Sequence, residues 1–172
     1  MSNAIVTIIM TALMLAGVSI LAGGSFSAVD HVSESWKGME ARSAAITRTN
    51  LSIVDVSYAT PTVDVTLANT GDETLRDFAK WDVLVRYYET DGTLHDTYLN
   101  YTAASPADDN EWQEYGIYLD ASAGKPESFQ PGLLNPSEQL VLRLKLAPAA
   151  DSAADNVVVV GTPNGITVSK PF

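Results

Sequence analysis

The sequence predicts an α+β chain, in which a long N-terminal hydrophobic helix leads into an all-β head of the immunoglobulin-like sandwich class. Three observations carry this. No Asp, Glu, Lys, Arg or His occurs between Ala4 and Val29. From Val29 to Ile46 apolar residues recur at helical spacing. Beyond Thr49 the period changes from helical to alternating, in short runs broken by polar turns. The boundary falls there, giving a helical segment 1–49 and a head 50–172.

The uncharged stretch contains Ile5, Ile9, Leu13, Ile20 and Leu21. A hydrocarbon core about 30 Å thick needs about 20 mainly apolar helical residues, so this stretch is long enough to span a membrane. A cleavable secretory signal would carry basic residues before its apolar run, whereas the first here is Lys37, well beyond it. The missing basic flank gives the expectation of a mature chain whose charged leader was removed just before residue 1; the alternative is that Met1 is the initiator. The helix then continues, because Val29, Val32, Trp36, Met39, Ser43 and Ile46 follow one another at alternating spacings of three and four, a heptad-like stripe. Asp30, Glu34, Lys37, Glu40 and Arg42 occupy the positions between. At 1.5 Å per residue such a helix is about 70 Å long. Gly17, Gly23 and Gly24 each lower helix propensity by about 1 kcal/mol relative to alanine; they serve either close helix packing or a local bend.

Leu51 to Tyr58 and Val63 to Leu67 read as two strands, followed by the turn Asn69-Thr70-Gly71-Asp72. Glu73 to Phe78 suits a short helical turn or an irregular crossing. Trp81 to Tyr88 and Leu94 to Tyr101 form a hairpin about Thr90-Asp91-Gly92-Thr93. Trp112 to Leu119, Leu140 to Leu146, Val157 to Val160 and Ile166 to Val168 complete seven or eight strands, with irregular stretches at Thr102 to Glu111 and Asp120 to Ser137. Spacing of this kind is that of a β-sandwich.

Composition narrows the chemistry. The net charge is −11, and acids and bases balance up to Asn50, so the head carries all of it. An acidic head argues against nucleic acid or anionic lipid as a charge-driven partner. Cysteine is absent, which removes disulfides, zinc–thiolate sites and a thiol nucleophile. His31 and His95 lack neighbours at metal-ligand or triad spacing and are expected at the surface. Asp108, Asp109 and Glu111 make an acidic loop that either ligates a hard cation or is simply solvated; it lacks the spacing of an EF-hand. Ala22-Gly23-Gly24-Ser25 has no lysine and no preceding strand, so it is not a phosphate loop. Neither catalysis nor a cofactor is expected. Asn50-Leu51-Ser52 and Asn100-Tyr101-Thr102 are N-glycosylation sequons, making Asn50 and Asn100 candidate glycan acceptors on an extracytoplasmic head.

A charge-free N-terminal segment, its amphipathic continuation and a small all-β head together resemble archaellins and archaeal type IV pilins. Val63-Asp64-Val65-Thr66-Leu67-Ala68-Asn69-Thr70-Gly71 and Leu134-Asn135-Pro136-Ser137-Glu138-Gln139-Leu140-Val141-Leu142 are similar to phrases in the β-sandwich domains of archaellum-related proteins. Bacterial type IV pilins typically carry glutamate at the fifth mature position; this chain has Ile5, which leans toward the archaellin side. The resemblance implies an extracellular cell-surface filament, a homopolymer of many copies serving swimming motility rather than adhesion. Ile5, Ile9, Leu13, Ile20, Leu21, Val29, Val32, Trp36, Met39 and Ile46 would form its assembly core, the last five against neighbouring helices or the chain's own sandwich. Before assembly the helix would rest in the membrane, and assembly and secretion machinery would move it into the polymer. The alternative is a single-span, membrane-anchored β-sandwich that binds a partner, as archaellum stator components or surface adhesins do.

Overall fold

The computed structural model describes residues 2–172, with side chains for 3–20 and 29–172. The expectations for Leu21, Gly23 and Gly24 fall on side-chain positions outside those described. The chain divides into two compact units, one ending at Ala44 and the other spanning Ala45–Phe172.

Helix α1 runs Ser2–Arg48, as the uninterrupted helical spacing without proline predicts. Several of its hydroxyls donate within the helix. Thr7 donates to the Asn3 carbonyl, Thr11 to Thr7 and Ser19 to Leu15, at 2.9, 2.8 and 2.9 Å. Such bonds to the preceding turn let polar side chains sit in an apolar medium without an unmet donor.

In chain order the strands are β1 (Leu51–Ala59), β2 (Thr62–Asn69), β3 (Asp82–Tyr88), β4 (Leu94–Tyr101), β5 (Glu111–Asp120), β6 (Lys125–Pro126), β7 (Gln139–Lys145), β8 (Val157–Gly161) and β9 (Thr167–Pro171). One layer has the order β1-β2-β7-β5, with β6 beside β5; the other has β4-β3-β8-β9. They meet where Asn100 and Tyr101 pair in parallel with Glu111 and Trp112. The core lies between the layers, because alternate residues of each strand face inward: Val63, Val65 and Leu67 on β2, Val83, Val85 and Tyr87 on β3, Leu140, Leu142 and Leu144 on β7, all essentially without exposure. Each such side chain stabilises the head by about 1.5–3 kcal/mol relative to its exposed state.

Three features depart from the expectations. A ninth strand, β6, lies inside the stretch expected to be irregular. The crossing after Asp72 holds a 3₁₀ turn at Phe78–Lys80, preceded by an isolated bridge in which Leu75 and Leu134 exchange hydrogen bonds at 2.9 and 2.8 Å. His95, expected at the surface, is half-buried: its ring stacks on Tyr87 with centroids 5.1 Å apart and its Nε2 lies 3.3 Å from Glu89. An inward-pointing position on β4 accounts for that covering.

Candidate assembly site

Among the described residues, helix α1 carries most of the large exposed apolar side chains. Ile5, Ile9, Leu13 and Ile20 are all more than half exposed, and Asn3–Ile20 is long and apolar enough to cross a membrane. A Cβ added at Gly17 would meet only open space. Farther on, Val29, Val32, Trp36 and Met39 are likewise exposed, and Trp36, Met39, Glu40 and Ser43 line a shallow groove. Ile46, in the last turn, is more covered than these four. Exposed apolar residues at heptad spacing form a ready contact surface.

The last turn of α1, from Ala45, belongs to the head unit and is tied down there. A helix leaves its final carbonyls without partners, and here the last of them, that of Arg48, is met by the turn after β2. The Asp72 amide donates to the Arg48 carbonyl at 2.9 Å, and the amides of Thr70 and Gly71 donate to the Asn50 carbonyl at 2.9 and 3.0 Å. Arg48 pairs with Glu73 at 3.2 Å. Gly71 is required by space rather than by φ, since a Cβ there would overlap the Arg48 carbonyl oxygen and the Asn50 nitrogen. From the other layer, Asn164 Nδ2 donates to the buried Thr49 hydroxyl at 2.8 Å, and that hydroxyl donates to the Ala45 carbonyl at 2.8 Å. Asn164 is itself held through its Oδ1 by the Thr162 hydroxyl.

Asn69 organises the turn. It is fully buried, its Nδ2 donating to the Glu73 and Leu134 carbonyls at 2.8 and 3.0 Å while its Oδ1 accepts from the Gly71 amide at 3.1 Å. Glu138 closes the facing turn by accepting from the Asn135 amide at 2.8 Å. The two phrases that carry the archaellum-like resemblance are therefore spatial neighbours, paired along β2 and β7 and joined at Asn69. Sequence reasoning placed Asn69 and Gly71 in a turn but did not foresee the bond between Thr49 and Asn164. The one available signal was a buried-type Asn-Thr-Gly-Asp turn directly after a strong strand.

The remaining sequence candidates are placed as follows. Asp109 pairs with Lys145 at 2.8 Å, and Glu111 Oε2 accepts from the Asp108 amide at 3.2 Å, so the acidic loop is engaged internally. Among the described residues no group of three His, Asp or Glu side chains converges as a metal site. Asn50 and Asn100 are both exposed. On the outer faces, Arg143 grips Asp64 through two bonds of 2.7 Å and lies over the Tyr115 ring at 3.6 Å; hydrogen bonding to Asp64 raises its pKa further. Arg86 grips Asp96 at 2.6 and 3.0 Å, which holds the Asp96 carboxyl below its ordinary value.

No family model matches the sequence. Among solved structures, the chain is similar to the archaeal flagellum of Methanospirillum hungatei, with 11% identity, a TM-score of 0.52, and 94% of this chain and 88% of that one covered. It is also similar to the archaellum periplasmic stator protein FlaG of Sulfolobus acidocaldarius, at 22% identity and a TM-score of 0.49 over 72% of this chain and 99% of that one. The first of these is a likeness of fold, a long N-terminal helix followed by a β head. An uncharacterized protein of Archaeoglobus fulgidus is 30% identical over 129 residues, which are 74% of this chain and 79% of that protein. With that identity over most of both lengths, the chain belongs to the same family as the Archaeoglobus protein.

Proposed function

We propose that the chain is a membrane-anchored, stator-type component of an archaellum-like surface assembly, with α1 as its single span and the acidic head outside the cytoplasm. What supports this is the distribution of apolar surface along α1. Over Asn3–Ile20 the helix is uncharged on every side, and 18 residues rise about 27 Å, close to the thickness of a hydrocarbon core. From Val29 onward the exposed apolar residues narrow to a seam between charged positions. A helix enclosed on all sides in a polymer needs apolar surface all round, whereas a seam suits one or two partner helices.

A subunit of a helical filament is the second reading. The fold likeness to the Methanospirillum flagellum favours it, because that likeness extends over helix and head. Shearing surface filaments from native cells and then fractionating the membranes tests the two. Recovery of the chain in the membrane fraction and its absence from sheared filaments fits the anchor; dominance of the chain in the filaments overturns it in favour of the subunit. Asn50 and Asn100, both exposed, are proposed as glycan acceptors, and mass spectrometry finding both native peptides unmodified would remove that proposal.

A further inference from the structure

Strand β4 has an edge that the rest of the head leaves open. The Glu89 amide donates to the Thr93 carbonyl at 2.9 Å, so that pair is of the hydrogen-bonded class, and alternation puts Tyr87–His95, Val85–Thr97 and Val83–Leu99 in the same class. The even-numbered residues of β4 therefore turn their amides and carbonyls away from β3. Contacts on both sides agree. Tyr88, opposite Leu94, sends its amide to Asn156 Oδ1 at 3.0 Å and accepts from the Asp151 amide at 2.7 Å, both away from β4. On the far side of β4, the Asn100 amide donates to Asn110 and the Thr102 amide to Trp112, at 3.3 and 2.9 Å. Before Asn100 the pairing with β5 stops, and among the described residues no strand lies beside the outward groups of Leu94, Asp96 and Tyr98.

The other edges are guarded in ways β4 is not. Strand β1 has a bulge between Ile53 and Asp55, and Lys170 Nζ caps the Val54 carbonyl at 2.6 Å. Strand β9 ends in Lys170 and Pro171, and β6 is only Lys125–Pro126. Bulges, lysines, prolines and shortness are the usual devices against edge pairing. Between Leu94 and Leu99, β4 has no proline or lysine and keeps an unbroken register with β3.

We propose that this edge pairs antiparallel with the same edge of a second copy, about a two-fold axis through Asp96, so that the β4-β3-β8-β9 layer continues across the dimer. In that register Asp96 faces Asp96, and Leu94 faces Tyr98 twice, giving two apolar cross-strand pairs from side chains now 46% and 53% exposed. A two-fold contact is self-complementary, which an antiparallel edge satisfies by construction. Charge selects the same place. On a chain of net charge −11 like surfaces repel, yet here each Asp96 carboxylate is held by its own Arg86, so the axis brings together two ion pairs rather than two bare acids.

Single-cysteine cross-linking of the full chain in lipid vesicles tests this, on a sequence that contains no cysteine. Paired Cα atoms about 5.5 Å apart suit a disulfide, whereas positions four residues out of register are about 13 Å apart. Asp96→Cys is expected to form covalent dimer under mild oxidation at least tenfold faster than Leu94→Cys or Tyr98→Cys alone. Because Asp96→Cys frees Arg86, the double variant Leu94→Cys/Tyr98→Cys, which keeps the ion pair but gives up the two apolar pairs, provides a second arm and is expected to cross-link faster than Leu94→Cys or Tyr98→Cys alone. Equal rates at all three single positions, or a monomer in both arms, overturn the proposal. Cross-linking in native membranes to a species of different mass overturns it as well, by giving the edge to another protein.

Discussion

The side-chain amide of Asn69 donates to the main-chain carbonyl of Leu134, 3.0 Å away and 65 residues later in the chain. Both lie in the core, so the bond ties the end of β2, where the next turn meets the Arg48 carbonyl, to the turn that leads into β7. Asn69→Ala should therefore destabilise the head by about 2–3 kcal/mol, because buried polar partners are left unmet. Urea unfolding followed through the buried Trp81 and Trp112 measures it.

Gly71→Ala should lower head stability by about 1–3 kcal/mol, the usual cost of forcing extra volume into a packed site. The new methyl must displace backbone at Arg48 or Asn50. Amide exchange should report the damage locally, with protection lost first at Asp72, whose amide donates to the Arg48 carbonyl.

Tyr87→Phe should be neutral or stabilising by up to about 1 kcal/mol, as removing an unmet buried hydroxyl also removes its desolvation cost. Among the described residues the buried Tyr87 hydroxyl makes no hydrogen bond of good geometry, and burial raises its pKa. A drop in melting temperature of several degrees would contradict this.

Glu114 gives a pH dependence of definite sign. Burial raises its folded-state pKa above the ordinary carboxylate value, so the folded head binds this proton more tightly than the unfolded chain does. Its effect is absent below the unfolded pKa. A destabilisation develops as pH rises from there through the folded value, and it is complete above that. Glu114→Gln should raise the melting temperature at neutral pH while leaving it nearly unchanged at acid pH, and thermal scans across the acid range would check both.

Leu13→Asp should detach the chain from membranes, since a carboxylate at the centre of a span costs about 2.5–3.5 kcal/mol on the insertion scale. Leu13 lies well inside the Asn3–Ile20 segment. Carbonate extraction of membranes should then find the variant in the soluble fraction.

The strands were legible because a half-buried strand writes its orientation into every second residue. Val63, Val65 and Leu67 alternate with Asp64 and Thr66, and their burial alternates in step. The helix was legible from the absence of charge and then from the stripe through Trp36 and Met39. What stayed hidden depends on partners distant in sequence. Lys125–Pro126 becomes a strand only because Tyr118 and Asp120 lie beside it. Thr49 and Asn164 are unremarkable polar residues until the fold brings them together from 115 positions apart. The open edge of β4 is likewise no property of Leu94 to Leu99; it follows from where β5 begins. His95 is more covered than a fully exposed surface residue for a related reason, as its cover comes from Tyr87 on the neighbouring strand.

The tie between Thr49, Asn164 and the Asn69–Asp72 turn has a mechanical consequence. Tension arriving along α1 meets the head at its last helical turn, where bonds lead into one layer through Arg48 and Asn50 and into the other through Thr49. The load is shared between both sheets from the first residue it reaches, so a pull must strain several bonds in parallel before β1 can peel away.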